Sequence, residues 1–447
     1  MKPNIMNHNT QPEIVTKGDP SSGKKYLLPL ILITSLFFFW GFVHNLDPVL
    51  IPHLKKAFRL TDLETSLVDF SVFIAYFLMA LPAGYVMRRW GYKSGIILGL
   101  SLFAIGCLLF LPAADTRQYI FFLGALFIIA CGLTFLETAA NPYVTVLGPP
   151  ESATQRLNFS QSFNGFAAFV APIVGGKFIL SGVNYSDSEL ANMLPAAREA
   201  YLTHEAGSVK GPYLVLGVII ILVTILFVFT KLPDIKEDKE LTEGQDRSAL
   251  EKIRHALRHS HLRWAILAQF FYVGAQVCIL SFFIRFITVS ANIDATEASW
   301  YSGAAGLAFM IGRFAGTFLM KYFAPNRLLM FYSLASAVLT LVAIFGTGMI
   351  TIYALIGVAF FMSIMFPTIF SMGIAGLGAD TKIGSSLIVM SIVGGALLPL
   401  GLGYISDSTK NIQYGYIVPL LCFLVILFYG WKVWKPIQIE REISLKD

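Results

Sequence analysis

Twelve apolar runs, each long enough to cross a lipid bilayer, follow one another along this 447-residue chain. They lie at about Tyr26–Ile51, Ser66–Met87, Lys93–Pro112, Gln118–Leu147, Leu157–Ser181, Pro212–Lys231, Leu262–Val289, Ala298–Lys321, Arg327–Gly346, Ile350–Ile374, Ile383–Asp407 and Ile412–Trp434. A hydrocarbon core ~30 Å thick takes ~20 apolar residues per helical span. Open strands would leave backbone groups unpaired in lipid, and the runs are too long and too evenly apolar for the alternating strands of a barrel. The expected class is an all-α membrane protein with twelve transmembrane helices. Composition agrees: 56% of residues are hydrophobic and 13% charged, about half the charge density of a soluble domain. A soluble enzyme is excluded.

The net charge of +6 does not point to nucleic acid, because Lys and Arg sit in short loops rather than among exposed aromatics. An even number of spans puts both tails on one side; 23 of the 33 cations fall on that side, nine on the other, and Arg313 lies within a span. Cations favour cytoplasmic loops, so both termini are expected in the cytoplasm. Residues 1–25 read as a polar tail without a cleavable signal. The charged stretch 232–261 reads as a cytoplasmic linker between two six-helix bundles, 26–231 and 262–435, with 436–447 a second tail. A surface helix is expected within 248–261. His255, His259 and His261 sit there at helix-like spacing and could take a metal, although a basic interfacial helix is the simpler reading. Cys107, Cys131, Cys278 and Cys422 lie inside apolar runs without paired spacing, so no zinc site or disulfide framework is expected.

The halves repeat weakly. Span four reads Phe135-Leu-Glu137-Thr-Ala-Ala-Asn141-Pro142 and span ten Phe360-Phe-Met362-Ser-Ile-Met-Phe366-Pro367, with the prolines in register. Span five carries FVAPIVGG (169–176) and span eleven IVGGALLP (392–399). Paired interruptions in two halves suggest a transporter built from repeats, with substrate bound between them near midplane.

A charged carboxyl at that depth costs roughly 2.5–3.5 kcal/mol even on lenient insertion scales, so each one is a functional candidate. Glu137 lies well inside span four, and Asn141 shares its face. In span one Asn45 and Asp47 flank Leu46 just before Pro48. In span five Gln161 and Asn164 share a face, extended by Asn158. The C-terminal half offers aromatics such as Tyr272, Phe309, Phe366 and Phe370, and no interior carboxylate. Carboxylate and amides on one wall with rings on the other suit a sugar, whose hydroxyls need directed partners while its C–H face packs on rings. Arg285, also counted among the nine far-side cations, and Arg313 are read as the intramembrane cations, the latter as an interhelical clamp between small residues.

The stretch Gly84-Tyr-Val-Met-Arg88-Arg89-Trp-Gly91-Tyr-Lys93 resembles the loop G-x-x-x-D-R-x-G-R-K of the major facilitator superfamily, with Arg88 in place of the acid. FLETAANPYVTVLG (135–148), RLNFSQSFNG (156–165), GRFAGTFLMKYFAP (312–325), FMSIMFPTIFSMGI (361–374) and DTKIGSSLIVMSIVGG (380–395) together resemble the fucose–proton symporter family within it. The resemblance implies proton-coupled uptake of a monosaccharide, L-fucose or a related hexose, across a bacterial inner membrane. It implies Glu137 as the protonatable, sugar-linked residue, with Asn45, Gln161 and Asn164 in the sugar site. Two departures stand out. The family's span-one pattern N-L-N-D is Asn45-Leu46-Asp47-Pro48 in this chain, so Asp47 takes the second coupling role only if Pro48 turns the backbone. The family's Q-Y before the span-ten Pro is Met365-Phe366, which leaves Phe366 as a purely apolar substrate-facing candidate. No cofactor is implied, the partners are sugar, proton and lipid, and a monomer is expected. Without H-E-x-x-H, G-x-S-x-G or a P-loop, an enzyme is not expected; sodium coupling and a transporter-like sugar sensor are the alternatives.

Overall fold

Helices are the arrangement that satisfies backbone groups within each span, and in a computed structural model every one of the twelve runs carries helix. The structure describes residues 20–46, 50, 53–54, 57–58, 62–116, 118–179, 189, 192–230, 232, 249–293 and 295–444. Asp47 and Pro48 lie outside them, as do most of the expected linker and residues 1–19. Among the described residues, nine helices are long and apolar enough to cross a membrane. One of these, Leu67–Thr116, holds spans two and three, which part at Gly91 in the left-handed region at φ 84°. Span one adds the shorter apolar helix Pro29–His44. Span five, Ala153–Phe178, is less apolar because it carries Gln155, Arg156, Asn158, Gln161 and Asn164.

The other spans are Tyr119–Val146 (four), Lys210–Phe229 (six), Ala295–Leu319 (eight), Pro325–Phe345 (nine) and Ile417–Ser444 (twelve). Span seven divides into Ser260–Ser281 and Phe283–Ala291, and span ten into Met349–Met362 and Met365–Ile374. Span eleven runs Thr381–Met390, passes through a 3-10 turn at Ser391–Val393, and continues as Gly394–Thr409. The expected pair of interruptions is thus realised unequally. Span eleven changes pitch ahead of its Gly-Gly, whereas span five stays helical through Pro172, where losing one backbone bond bends a helix without ending it.

Span one packs on span five, and spans two and three on four and six; span seven packs on eleven and twelve, and span ten on eight and nine. Span four is buried without interruption from Ile129 to Thr145, which places it at the centre. Span six exposes Leu214, Val215, Val218, Leu222, Leu226 and Phe229. In a bilayer that face meets acyl chains, which is where much of the apolar excess goes. The halves touch where span five meets eight and ten, and where spans two and four meet eleven.

The in-register prolines explain two of the polar contacts in these packed regions. A proline at position i has no N–H for the carbonyl at i−4. Pro142 therefore frees Thr138 O, and Ser385 Oγ of span eleven donates to it at 2.9 Å. Pro367 frees Ser363 O, and Arg313 Nε of span eight donates to it at 2.9 Å. Each repeat thus exposes an equivalent carbonyl, and a neighbouring helix satisfies it.

Spans five and eleven start, and spans two, four, eight and ten end, on the face where span one starts and span twelve ends, called the tail face. Hydrogen bonds between the halves concentrate in the part of the spans nearest it: Thr154 to Ser371 at 2.9 Å, Asn158 Nδ2 to Thr368 Oγ1 at 3.2 Å, and Ser385 to Thr138. On the opposite face, His53, after span one, is buried against helix Pro195–Ser208. Its Nδ1 lies 3.4 Å from Glu205 Oε2 and its Nε2 2.8 Å from Glu205 O. Arg285 also sits at that face, exposed and 3.7 Å from Asp407, so it is a surface ion-pair residue rather than an intramembrane cation.

Candidate functional site

The polar residues singled out in spans four and five meet in the interior. Glu137 is buried at 7% exposure, and Tyr76 of span two hydrogen-bonds its side chain. Asn141 lies one turn further along the same face, and Gln161 Nε2 donates to its Oδ1 at 3.1 Å. Asn141 Nδ2 is buried and, among the described residues, has no hydrogen-bond partner. A donor left over in a buried polar stripe is spare capacity for a ligand oxygen, since such groups are otherwise almost always paired.

Asn164, one turn beyond Gln161, lies against span one. A Cβ built on Gly41 would stand 2.8 Å from Asn164 Cγ and 2.9 Å from its Cα, so only glycine lets these helices approach this closely. Asn45 Nδ2 donates to Gly41 O at 2.6 Å, which brings Asn45 beside the same contact. Tyr76 thus meets Glu137 across spans two and four, Gln161 meets Asn141 across spans five and four, and Asn164 and Asn45 come together at Gly41 of span one. Asp47 lies outside the described residues, and Asp69, early in span two, is exposed.

Phe366 belongs to an aromatic group in the other half, edge-to-face with Tyr272 at 6.2 Å and stacked with Phe370 at 6.4 Å. Arg313 joins the two halves. It is 3% exposed, donates from Nη1 to Gln161 O at 2.7 Å as well as to Ser363 O, and stands 4.6 Å from the Phe309 ring. Two carbonyls and a ring face satisfy this cation, which fits the clamp expected from Gly312 and Gly316.

Two groups escaped the sequence reading. The sequence marks Asn141 only as a residue on the face of Glu137, and its free amide hydrogens depend on which way Gln161 points. Gln269 in span seven is fully buried, and neither amide atom has a partner among the described residues. It shares a helical face with Tyr272, three residues on, and a lone Gln within Ala-Gln-Phe-Phe was the only sequence signal.

The chain matches the family model described as Major Facilitator Superfamily over residues 30–381. It is 41% identical over 423 residues to the L-fucose-proton symporter of Escherichia coli (strain K12), covering 94% of this chain and 96% of that one. It is 39% identical over 415 residues to a glucose/galactose transporter of Brucella abortus biovar 1, with 92% and 95% covered. Its fold superposes on the crystal structure of the major facilitator transporter FucP in the outward conformation with a TM-score of 0.85, at 41% identity and covering 91% and 99% of the two chains. The register of Pro142 and Pro367, the central fourth span and similarity over nearly the whole length of these sugar carriers lead to one assignment: the chain belongs to the fucose–proton symporter family of the major facilitator superfamily.

Proposed function

We propose that this protein takes up a monosaccharide, L-fucose or a related hexose, together with a proton, by alternating access of its two halves. In this proposal it works as a monomer in a bacterial cytoplasmic membrane, with both termini in the cytoplasm. The observation that carries the reading is Glu137. Among the described residues it is the carboxylate buried within a span, and it lies one helical turn from an amide whose hydrogens are unpartnered.

Glu137 serves as the proton carrier, and Asn45, Asn141, Gln161 and Asn164 as partners for sugar hydroxyls, with Phe366 among the rings that face the sugar. Asp47 is proposed as a second coupling carboxylate. A neutral sugar gains nothing from the membrane potential, but a proton entering with it gains ~2.3 kcal/mol per 100 mV. The tail-face hydrogen bonds between the halves would hold one gate shut while the opposite face admits sugar.

The test is uptake by proteoliposomes offered fucose, galactose, glucose and mannose, with and without an imposed pH gradient. Accumulation that requires an inward proton gradient and persists in sodium-free buffer is expected. Accumulation that follows sodium and ignores pH would establish sodium coupling instead. Sugar binding without flux would make the protein a sensor.

The span-five residues have their own test. Gln161→Ala and Asn164→Ala should each weaken sugar binding roughly ten-fold, because a sugar hydroxyl left without its partner costs ~1–3 kcal/mol. Tryptophan fluorescence titration of the purified variants, at unchanged yield and melting temperature, provides the measurement. Wild-type affinity in both would reduce this pair to interhelical hydrogen bonding.

A further inference from the structure

Away from the transport path, three metal-ligating side chains from two segments distant in sequence converge on the tail face. His255 is in the helix Ala249–Ala256, His259 is in the turn that follows it, and Asp380 is in the 3-10 turn Gly378–Asp380 that leads into span eleven. His255 Nδ1 lies 2.7 Å from Asp380 Oδ2, and His259 Nε2 lies 3.5 Å from the same oxygen. One ligand atom from each of the three residues falls within 4.8 Å of the other two. All three side chains are partly open to solvent, at 41%, 35% and 15% exposure, so an ion can reach them.

We propose that His255, His259 and Asp380 form a binding site for a zinc-like divalent cation. Zinc binds imidazole nitrogen and carboxylate oxygen at ~2.0–2.2 Å, which sets adjacent donors of a tetrahedral site roughly 3.4 Å apart. The His259–Asp380 separation is already close to that distance. The His255–Asp380 separation reaches it when a metal replaces the proton now shared between the nitrogen and the carboxylate. Two imidazoles and one carboxylate, with a fourth position open to water, favour zinc, cobalt or nickel over the all-oxygen sites of calcium and magnesium.

The location gives the site a consequence. Just beyond Asp380, Lys382 Nζ stands 5.0 Å from the ring of Tyr92 in the other half, and Ser385 reaches Thr138. Span eleven therefore starts at the metal site and, within two turns, contacts the N-terminal half. A bound ion would fasten the helix ahead of span seven to the root of that contact.

The experiment titrates Zn2+ into the full-length, tag-free protein in detergent against a chromogenic zinc chelator. One equivalent bound with micromolar affinity is expected. His259→Ala and Asp380→Asn should each weaken it at least ten-fold, and the His255→Ala/His259→Ala pair should abolish it. Unchanged elution volume and melting temperature of the same preparations report that the variants are folded. Absence of Zn2+ binding by the wild type, or equal binding by wild type and the double variant, overturns the proposal.

Discussion

Glu137→Gln is expected to abolish proton-driven sugar accumulation while leaving sugar binding and sugar-for-sugar exchange within a few-fold of wild type. Glutamine keeps the shape of the protonated carboxyl and can still accept from Tyr76, so the fold and the polar wall with Asn141 and Gln161 survive. What it loses is the ability to release and regain a proton between the two faces. At ~1.4 kcal/mol per ten-fold, a proton driven by 100 mV supports roughly 40-fold accumulation of a neutral sugar, and without coupling the ratio falls to one. Binding in the variant should also lose its pH dependence, since the glutamine carries no titrating proton. Uphill uptake at the wild-type level in Glu137→Gln vesicles would remove this carboxyl from the coupling mechanism. Loss of exchange and binding as well would make it a structural element.

The twelve spans and the central carboxylate were legible in the sequence because both are local signals. Spanning length is a count along the chain, and a glutamate inside an apolar run stands out against its immediate neighbours. The in-register prolines were legible as a repeat, and a proline in a helix frees a carbonyl one turn back whatever surrounds it. Which group would satisfy that carbonyl was not legible. Ser385 is 247 residues from Thr138, and nothing in its local sequence distinguishes it from Ser386, which instead donates to Lys382 O one turn back. The pairing of Gln161 with Asn141, and hence the free amide hydrogens of Asn141, depends likewise on helix rotation rather than on composition. Arg285 was misplaced for a related reason: an apolar run does not reveal where its helix breaks, and the break at Phe282 lets the next segment carry Arg285 to the surface beside Asp407. The unequal interruption of spans five and eleven makes the same point. Proline marks where a backbone bond is lost, while packing decides whether the helix bends or changes pitch.

Gly84→Val should open the tail-face seam and cut transport more than ten-fold, whereas Gly84→Ala should have little effect. Gly84 of span two lies against span eleven. A Cβ at this position would stand 2.0 Å from Ser386 Oγ, 3.1 Å from Ser386 Cβ and 3.1 Å from Lys382 O. The nearest of these atoms is a hydroxyl that can rotate away, giving up its 2.9 Å bond to Lys382 O, and the two contacts at 3.1 Å ask for a shift of only a few tenths of an ångström, so a single methyl can be accommodated. The branched methyls of valine press further on the backbone carbonyl and Ser386 Cβ, which the Cβ already meets at 3.1 Å, and these can clear them only if the two helices separate. Overpacking of this kind costs ~1–3 kcal/mol, and a state in which the seam is parted escapes the penalty. The ratio of states should therefore shift by roughly 5- to 150-fold toward the one open at the tail face. Spin labels at two exposed tail-face positions, Arg88→Cys and Ala379→Cys, measure the seam directly. A longer label separation in Gly84→Val than in Gly84→Ala or wild type is the expected result. Equal separations together with wild-type uptake would mean that this glycine contact does not govern closure, and the gate would then rest on the polar contacts of Thr154, Asn158 and Ser385 alone.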